Sequence, residues 1–181
     1  MKYTDADWRI GYSLLPEGRY IFTIGEGKFG TAEDGGSTSR LSFTLTCAEG
    51  DETGNNAFVS FDLAKPAGRK SFAMMLAGAG IVDKIEKKFN LNPDLLVQEW
   101  ANKYLDISNS KALQVVNMAI AQLAGKTITG TVRHRSYKTR DGVEKTVADV
   151  YEFSPPKTVK ESVEKPVEKE FVPEDDDEDS W

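Results

Sequence analysis

The chain has 181 residues, with 23 lysines and arginines against 29 aspartates and glutamates, one cysteine and one histidine. That length is too short for a (β/α)8 barrel of about 250 residues, and no apolar run approaches the ~18 residues that a membrane helix needs. The net charge of −6 lies entirely in residues 157–181, which hold four lysines and ten acids; subtracting these from the totals leaves 19 charges of each sign in residues 1–156.

The first residues, Met1 to Asp5, lack the basic-then-apolar order of a secretory signal. Trp8 and Tyr12 follow in a segment without readable period, as packing staples or as base stackers. Three strands come next. Arg19 to Ile24 alternates, with Tyr20, Phe22 and Ile24 on one face. Arg40 to Cys47 sets Leu41, Phe43, Leu45 and Cys47 against Arg40, Ser42, Thr44 and Thr46. Ala57 to Leu63 repeats the pattern with Val59, Phe61 and Leu63. A period of two with one apolar face is that of a half-buried antiparallel strand. Gly25 to Ser39, rich in Gly and Ser, reads as the long link between the first two strands.

The middle has helical spacing. Arg69 to Gly80 carries Phe72, Met75, Leu76 and Ala79 on one stripe. Asn92-Pro93 is a start signal, Asn as cap and Pro at the first helical position. It leads into Leu96, Trp100 and Tyr104. Ser110 to Leu123 groups Leu113, Val116, Ile120 and Leu123. Then period two returns over Lys126 to Tyr137, and the hairpin signal Asp141-Gly142 leads into Val143 to Phe153.

Five strands with helix between the third and fourth give a mainly β chain with inserted helices (α+β). The expected architecture is a five-stranded OB-fold-like barrel with a helical insertion between strands three and four. Ser154-Pro155-Pro156 ends it, because proline offers no N–H to a ladder. Residues 1–156 are thus expected to form one OB-fold-like domain. Residues 157–181, rich in Lys, Glu, Val and Pro and without period, are expected to be a disordered acidic tail.

Gly25, Gly27 and Gly30 form a literal GxGxxG. The nucleotide readings fail, since no helix follows the glycines and no kinase partner motifs exist. The segment reads as a hairpin tip that carries Lys28 and Phe29. The stronger constellation is Arg133, Arg135, Tyr137, Lys138, Arg140 and Lys145, five cations and one ring within one hairpin. Arg133, Arg135 and Tyr137 have equal parity and share a face. Cations track phosphates and flat rings stack on bases, which is what an unpaired strand requires. In an OB-fold the ligand crosses strands two and three and the loops joining strands one–two and four–five. That places Lys28, Phe29, Lys138 and Arg140 at the loops, with Arg40 and Phe58 outward on the strands.

His134, of opposite parity, is expected in or at the edge of the core as a hydrogen-bonded neutral ring, and Cys47 as a small core hydrophobe. One cysteine and one histidine leave too few ligands for a structural zinc site. No carboxylate pair stands in a motif, so no catalytic residue, metal or cofactor is assigned and the expectation is not an enzyme.

The run Leu15-Pro-Glu-Gly-Arg-Tyr-Ile-Phe, the strand Leu41 to Leu45, Leu123-Ala-Gly-Lys-Thr-Ile-Thr-Gly-Thr-Val and Val150-Tyr-Glu-Phe resemble small phage-encoded single-stranded DNA-binding proteins. Asp175, Asp176, Asp177, Glu178, Asp179, Ser180 and Trp181 are similar in kind to the tails of bacterial and phage single-strand binders, which end in acids and an aromatic residue, usually Phe. The resemblance implies a protein that coats single strands during DNA replication or recombination. Its tail residues Asp175 to Asp179 and Trp181 would recruit partner proteins and compete with DNA for the groove. Single-stranded DNA is the expected partner, with RNA an open alternative. Self-association into a homo-oligomer is compatible with the sequence. No membrane partner is expected, and the expected setting is the reduced cytoplasm, that of the host cell if phage-encoded. The alternative is an OB-like protein-interaction module that binds no nucleic acid.

Overall fold

A computed structural model describes residues 14–31 and 38–156. The expectations for Trp8 and Tyr12, and for the tail with Asp175, Asp176, Asp177, Glu178, Asp179 and Trp181, lie outside the described residues. The chain runs β1 (Gly18–Phe29), β2 (Arg40–Cys47), β3 (Asn56–Asp62), α1 (Pro66–Gly78), α2 (Val82–Phe89), α3 (Val97–Tyr104), α4 (Ser110–Leu123), β4 (Thr127–Lys138) and β5 (Glu144–Ser154). The strands form one antiparallel sheet in the order β3-β2-β1-β4-β5, and four helices pack with it in an α+β architecture. Among the described residues no helix is long and apolar enough to cross a membrane.

Alternation decides which face is buried. Leu41, Phe43, Leu45 and Cys47 of β2 are buried, as are Ala57, Val59 and Phe61 of β3, while Arg40, Phe58 and Ser60 face water. Burying each large side chain contributes about 1.5–3 kcal/mol. Helix α1 lies against this inner face. Its Phe72 ring sits 6.0 Å from that of Phe43 and 5.4 Å from that of Phe61, and Phe61 is 6.2 Å from Phe153 of β5. Thus β3 and β5, the two edges of the sheet, approach each other and both touch α1, but they share no ladder. Covering an edge with a helix shields its unpaired backbone groups. Arg69, 8% exposed, fastens this corner: Nη1 donates to Leu63 O at 3.0 Å and Nε to Asn102 Oδ1 at 3.2 Å.

Several elements depart from the sequence pattern. The link expected from Gly25 begins five residues later, because β1 continues to Phe29. Its register against β2 shifts between Ile24 and Gly27, where β1 carries one extra residue, a β-bulge. The bulge turns Gly27 inward, where a Cβ would stand 2.5 Å from Phe43 Cε1 and 3.0 Å from Ile120 Cγ2. The glycines therefore serve strand packing. Helix α2 was hidden by its single buried residue, Ile85. Asn92-Pro93 opens a turn and not a helix: Asn92 Oδ1 accepts from the Asp94 backbone at 3.0 Å, and α3 begins at Val97 with Leu96 exposed. In α4, capped by Asn109, the buried stripe is Ala112, Val115, Val116, Ala119 and Leu123, and Leu113 faces water.

Candidate nucleic-acid interface

Beyond Val132, every residue of β4 is exposed, as are Glu144 to Thr146 of β5. The two strands thus leave the sheet as a ribbon. Gly142 (φ 77°) lets the chain reverse, and Thr139 N–H donates to Val143 O at 2.9 Å. The ladder sets Arg133 opposite Asp149, Arg135 opposite Val147 and Tyr137 opposite Lys145. Directly opposed residues of an antiparallel pair share a face, so the ribbon presents Arg133, Arg135, Tyr137 and Lys145 together.

This face forms one wall of a trough of about 1360 Å3. The other wall is the outer side of β2 and β3, with Arg40, Ser42, Asn56, Phe58 and Ser60. Leu14 and Leu15 also line it, as do the β5 residues Glu144 to Tyr151. Five of the expected site residues, Arg40, Phe58, Arg135, Tyr137 and Lys145, are therefore brought to one concavity from β2, β3, β4 and β5.

The other five are not. Lys28 is exposed on β1 opposite Ser42, on the flank of the trough. Phe29, expected at a mobile tip, is the last residue of β1; it pairs with Leu41 and packs half-buried against the core. The bulge reverses the parity of β1 and so points Phe29 inward. Lys138 and Arg140 stand exposed at the far end of the ribbon, outside the lining. Arg133 also lies outside the lining, and its Nη2 is held by Glu152 Oε1 at 2.8 Å. Glu152 (φ 56°) reaches Arg133 because it sits in a β5 bulge, where the register shifts between Thr129 and Thr131. The same carboxylate accepts from Thr131 Oγ1 at 3.1 Å.

Charge inside the trough is partly neutralised. Arg135 Nε donates to Asp149 Oδ2 at 2.6 Å, and the Tyr151 hydroxyl donates to the same oxygen at 3.1 Å. Arg135 also stands 5.7 Å from the centre of the Tyr137 ring. Burial first, and then the Asp149 charge, push the Tyr151 hydroxyl above its ordinary range, which keeps it a neutral donor. The residues missed in the sequence are Asp149, Tyr151 and Glu152. The parity of β5 was the available signal for the first two, since Lys145, Val147, Asp149 and Tyr151 alternate on one face.

His134 is corrected in place. It is exposed on the ribbon and not in the core, though its ring is satisfied: Nε2 lies 2.7 Å from Leu15 O, a carbonyl that can only accept. Its backbone N–H donates to Glu17 Oε1 at 2.7 Å. Cys47 is buried, and burial followed by the Glu52 charge raises its thiol. Among the described residues no group of three or more His, Cys, Asp or Glu is placed to hold a metal ion. No family model, curated protein or solved structure matches the chain.

Proposed function

We propose that the protein binds single-stranded DNA without sequence preference, as an accessory of replication or recombination, with residues 157–181 serving as a partner-recruiting tail. The observation that carries this reading is the convergence of Arg40, Phe58, Arg135, Tyr137 and Lys145 on one trough. The trough exceeds the roughly 300–1,000 Å3 of small-molecule pockets, and cations interleaved with rings suit an unpaired polynucleotide. An OB-type barrel is the architecture that best accounts for the strand order, the helices between β3 and β4, and the approach of β3 to β5. In that frame the trough lies along the outer side of the second and third strands, the face that OB-folds offer to oligonucleotides.

Fluorescence anisotropy of a labelled oligo-dT tests the proposal. Wild-type protein binds it, and Arg40→Ala, Arg135→Ala and Tyr137→Ala combined lower affinity strongly while circular dichroism is unchanged. Absence of wild-type binding, or full retention in the triple variant, overturns it. Deleting residues 157–181 removes the six-charge excess of acid and tightens binding at low salt. A second reading, a protein-interaction module, draws on the two ion pairs that neutralise Arg133 and Arg135. It becomes the better one if no oligonucleotide binds.

A further inference from the structure

We infer that Phe58, Tyr137 and Tyr151 form a stacking platform positioned by Asp149, so that the trough holds unpaired bases by their flat faces and neutralises only two phosphates, at Arg40 and Lys145. This rests on the reading of the trough as a single-strand site and specifies what that site grips.

Phe58, Tyr137 and Tyr151 are 55%, 40% and 44% exposed. One exposed ring on a protein surface signifies nothing, but here three exposed rings line a single concavity. Their placement is not loose. Asp149 Oδ2 accepts both the Tyr151 hydroxyl and Arg135 Nε, and Arg135 in turn lies beside the Tyr137 ring. One carboxylate thereby fixes Tyr151 directly and supports Tyr137 through the guanidinium. Rings that are already held lose less freedom when a base settles on them.

The same contacts withdraw charge. Arg135 faces Asp149, and Glu144 also lines the trough. Among the described residues Arg40 and Lys145 make no ion pair, and they are the remaining cations of the lining. Lys28, Lys138 and Arg140 lie outside it. A trough-bound strand thus meets two unpaired cations, whereas a strand held by every unpaired outward cation of the expected site would meet five. With a log–log salt slope of about −0.7 per neutralised phosphate, these alternatives give about −1.4 and about −3.5.

The experiment compares oligo-dT with an abasic oligomer of equal length, which keeps every phosphate and lacks every base. If wild-type protein binds neither, the single-strand reading itself fails. If it binds oligo-dT, the expected results are a slope near −1.4 and at least tenfold weaker binding of the abasic oligomer. Tyr151→Ala weakens oligo-dT binding about 5- to 150-fold, the range for one lost stacking contact, and Tyr151→Phe, which keeps the ring, restores most of it. Asp149→Ala frees Arg135 for a phosphate, so its slope steepens by about 0.7 while its affinity at high salt falls. Equal binding of the abasic oligomer, a slope near −3.5, or full affinity in Tyr151→Ala overturns the inference and leaves the single-strand reading standing. An unchanged slope in Asp149→Ala removes Asp149 from it.

Discussion

Gly68→Ala separates helix propensity from packing. Gly68 lies in the first turn of α1, where alanine is better than glycine by about 0.8–1.0 kcal/mol on propensity alone. The structure reverses the sign. A Cβ at Gly68 would overlap the carbonyl oxygen of Asp62 and stand 2.7 Å from its carbon and 2.9 Å from its nitrogen. These are backbone atoms at the end of β3, held by Lys65 N–H on Asp62 O at 3.0 Å and by Leu63 N–H on Ser39 O at 2.9 Å. They cannot swing away as a side-chain tip would. Helix α1 must lift, and Phe72, one turn on, then draws back from Phe43 and Phe61. Overpacking costs typically 1–3 kcal/mol; with rigid backbone as the obstacle we take about 3, less the propensity gain of about 1, a net loss of about 2 kcal/mol. At 2–4 °C per kcal/mol for a chain of this size, Tm falls by about 4–8 °C. Thermal unfolding followed by far-ultraviolet circular dichroism reads this directly. An unchanged or raised Tm would refute the seating of α1 on β3.

Phe72→Ala removes the ring shared by Phe43 and Phe61 and is expected to cost about 3–5 kcal/mol, read as a lower urea midpoint. Asp62 and Asp106 are both held below the usual carboxylate value, Asp62 chiefly by the Ser39 hydroxyl and Asp106 by the hydroxyl and N–H of Ser108. A depressed carboxyl stabilises the fold above its unfolded value of about 3.9, and that contribution disappears as pH falls through the lower folded value. Tm should therefore drop below about pH 4, and the double variant Asp62→Asn, Asp106→Asn should drop less steeply there. Cys47 is 1% exposed and its thiol is raised by burial, so a thiol reagent should modify it only as fast as the protein opens. Immediate labelling of the native protein would contradict the buried placement.

Strand alternation was legible because each strand buries one face: Leu41, Phe43 and Leu45 could be assigned inward from the sequence, and they are. The length of β1 was not, because Gly25 and Gly27 look like loop residues until a bulge and the Phe43 ring explain them. Asn92-Pro93 carried the right residue types for a helix start, yet Asn92 caps a turn instead, and local chemistry alone cannot choose between the two. At the candidate site, parity correctly grouped Arg135 and Tyr137. It could not show that Asp149 and Glu152 come back along β5 to meet Arg135 and Arg133, since a cross-strand ion pair depends on register and, for Glu152, on a bulge. Counting cations along the chain therefore overstated the positive charge available to a ligand.

The meeting of β3 and β5 is made by rings, Phe61 against Phe153, and not by backbone hydrogen bonds. A seam of that kind has no register to lose. One aromatic pair contributes about 0.5–1.5 kcal/mol beyond its burial, and parting it orphans no donor or acceptor. Helix α1 touches both edges and its Phe72 packs on Phe61, so side-chain packing closes the sheet at this line where no ladder does.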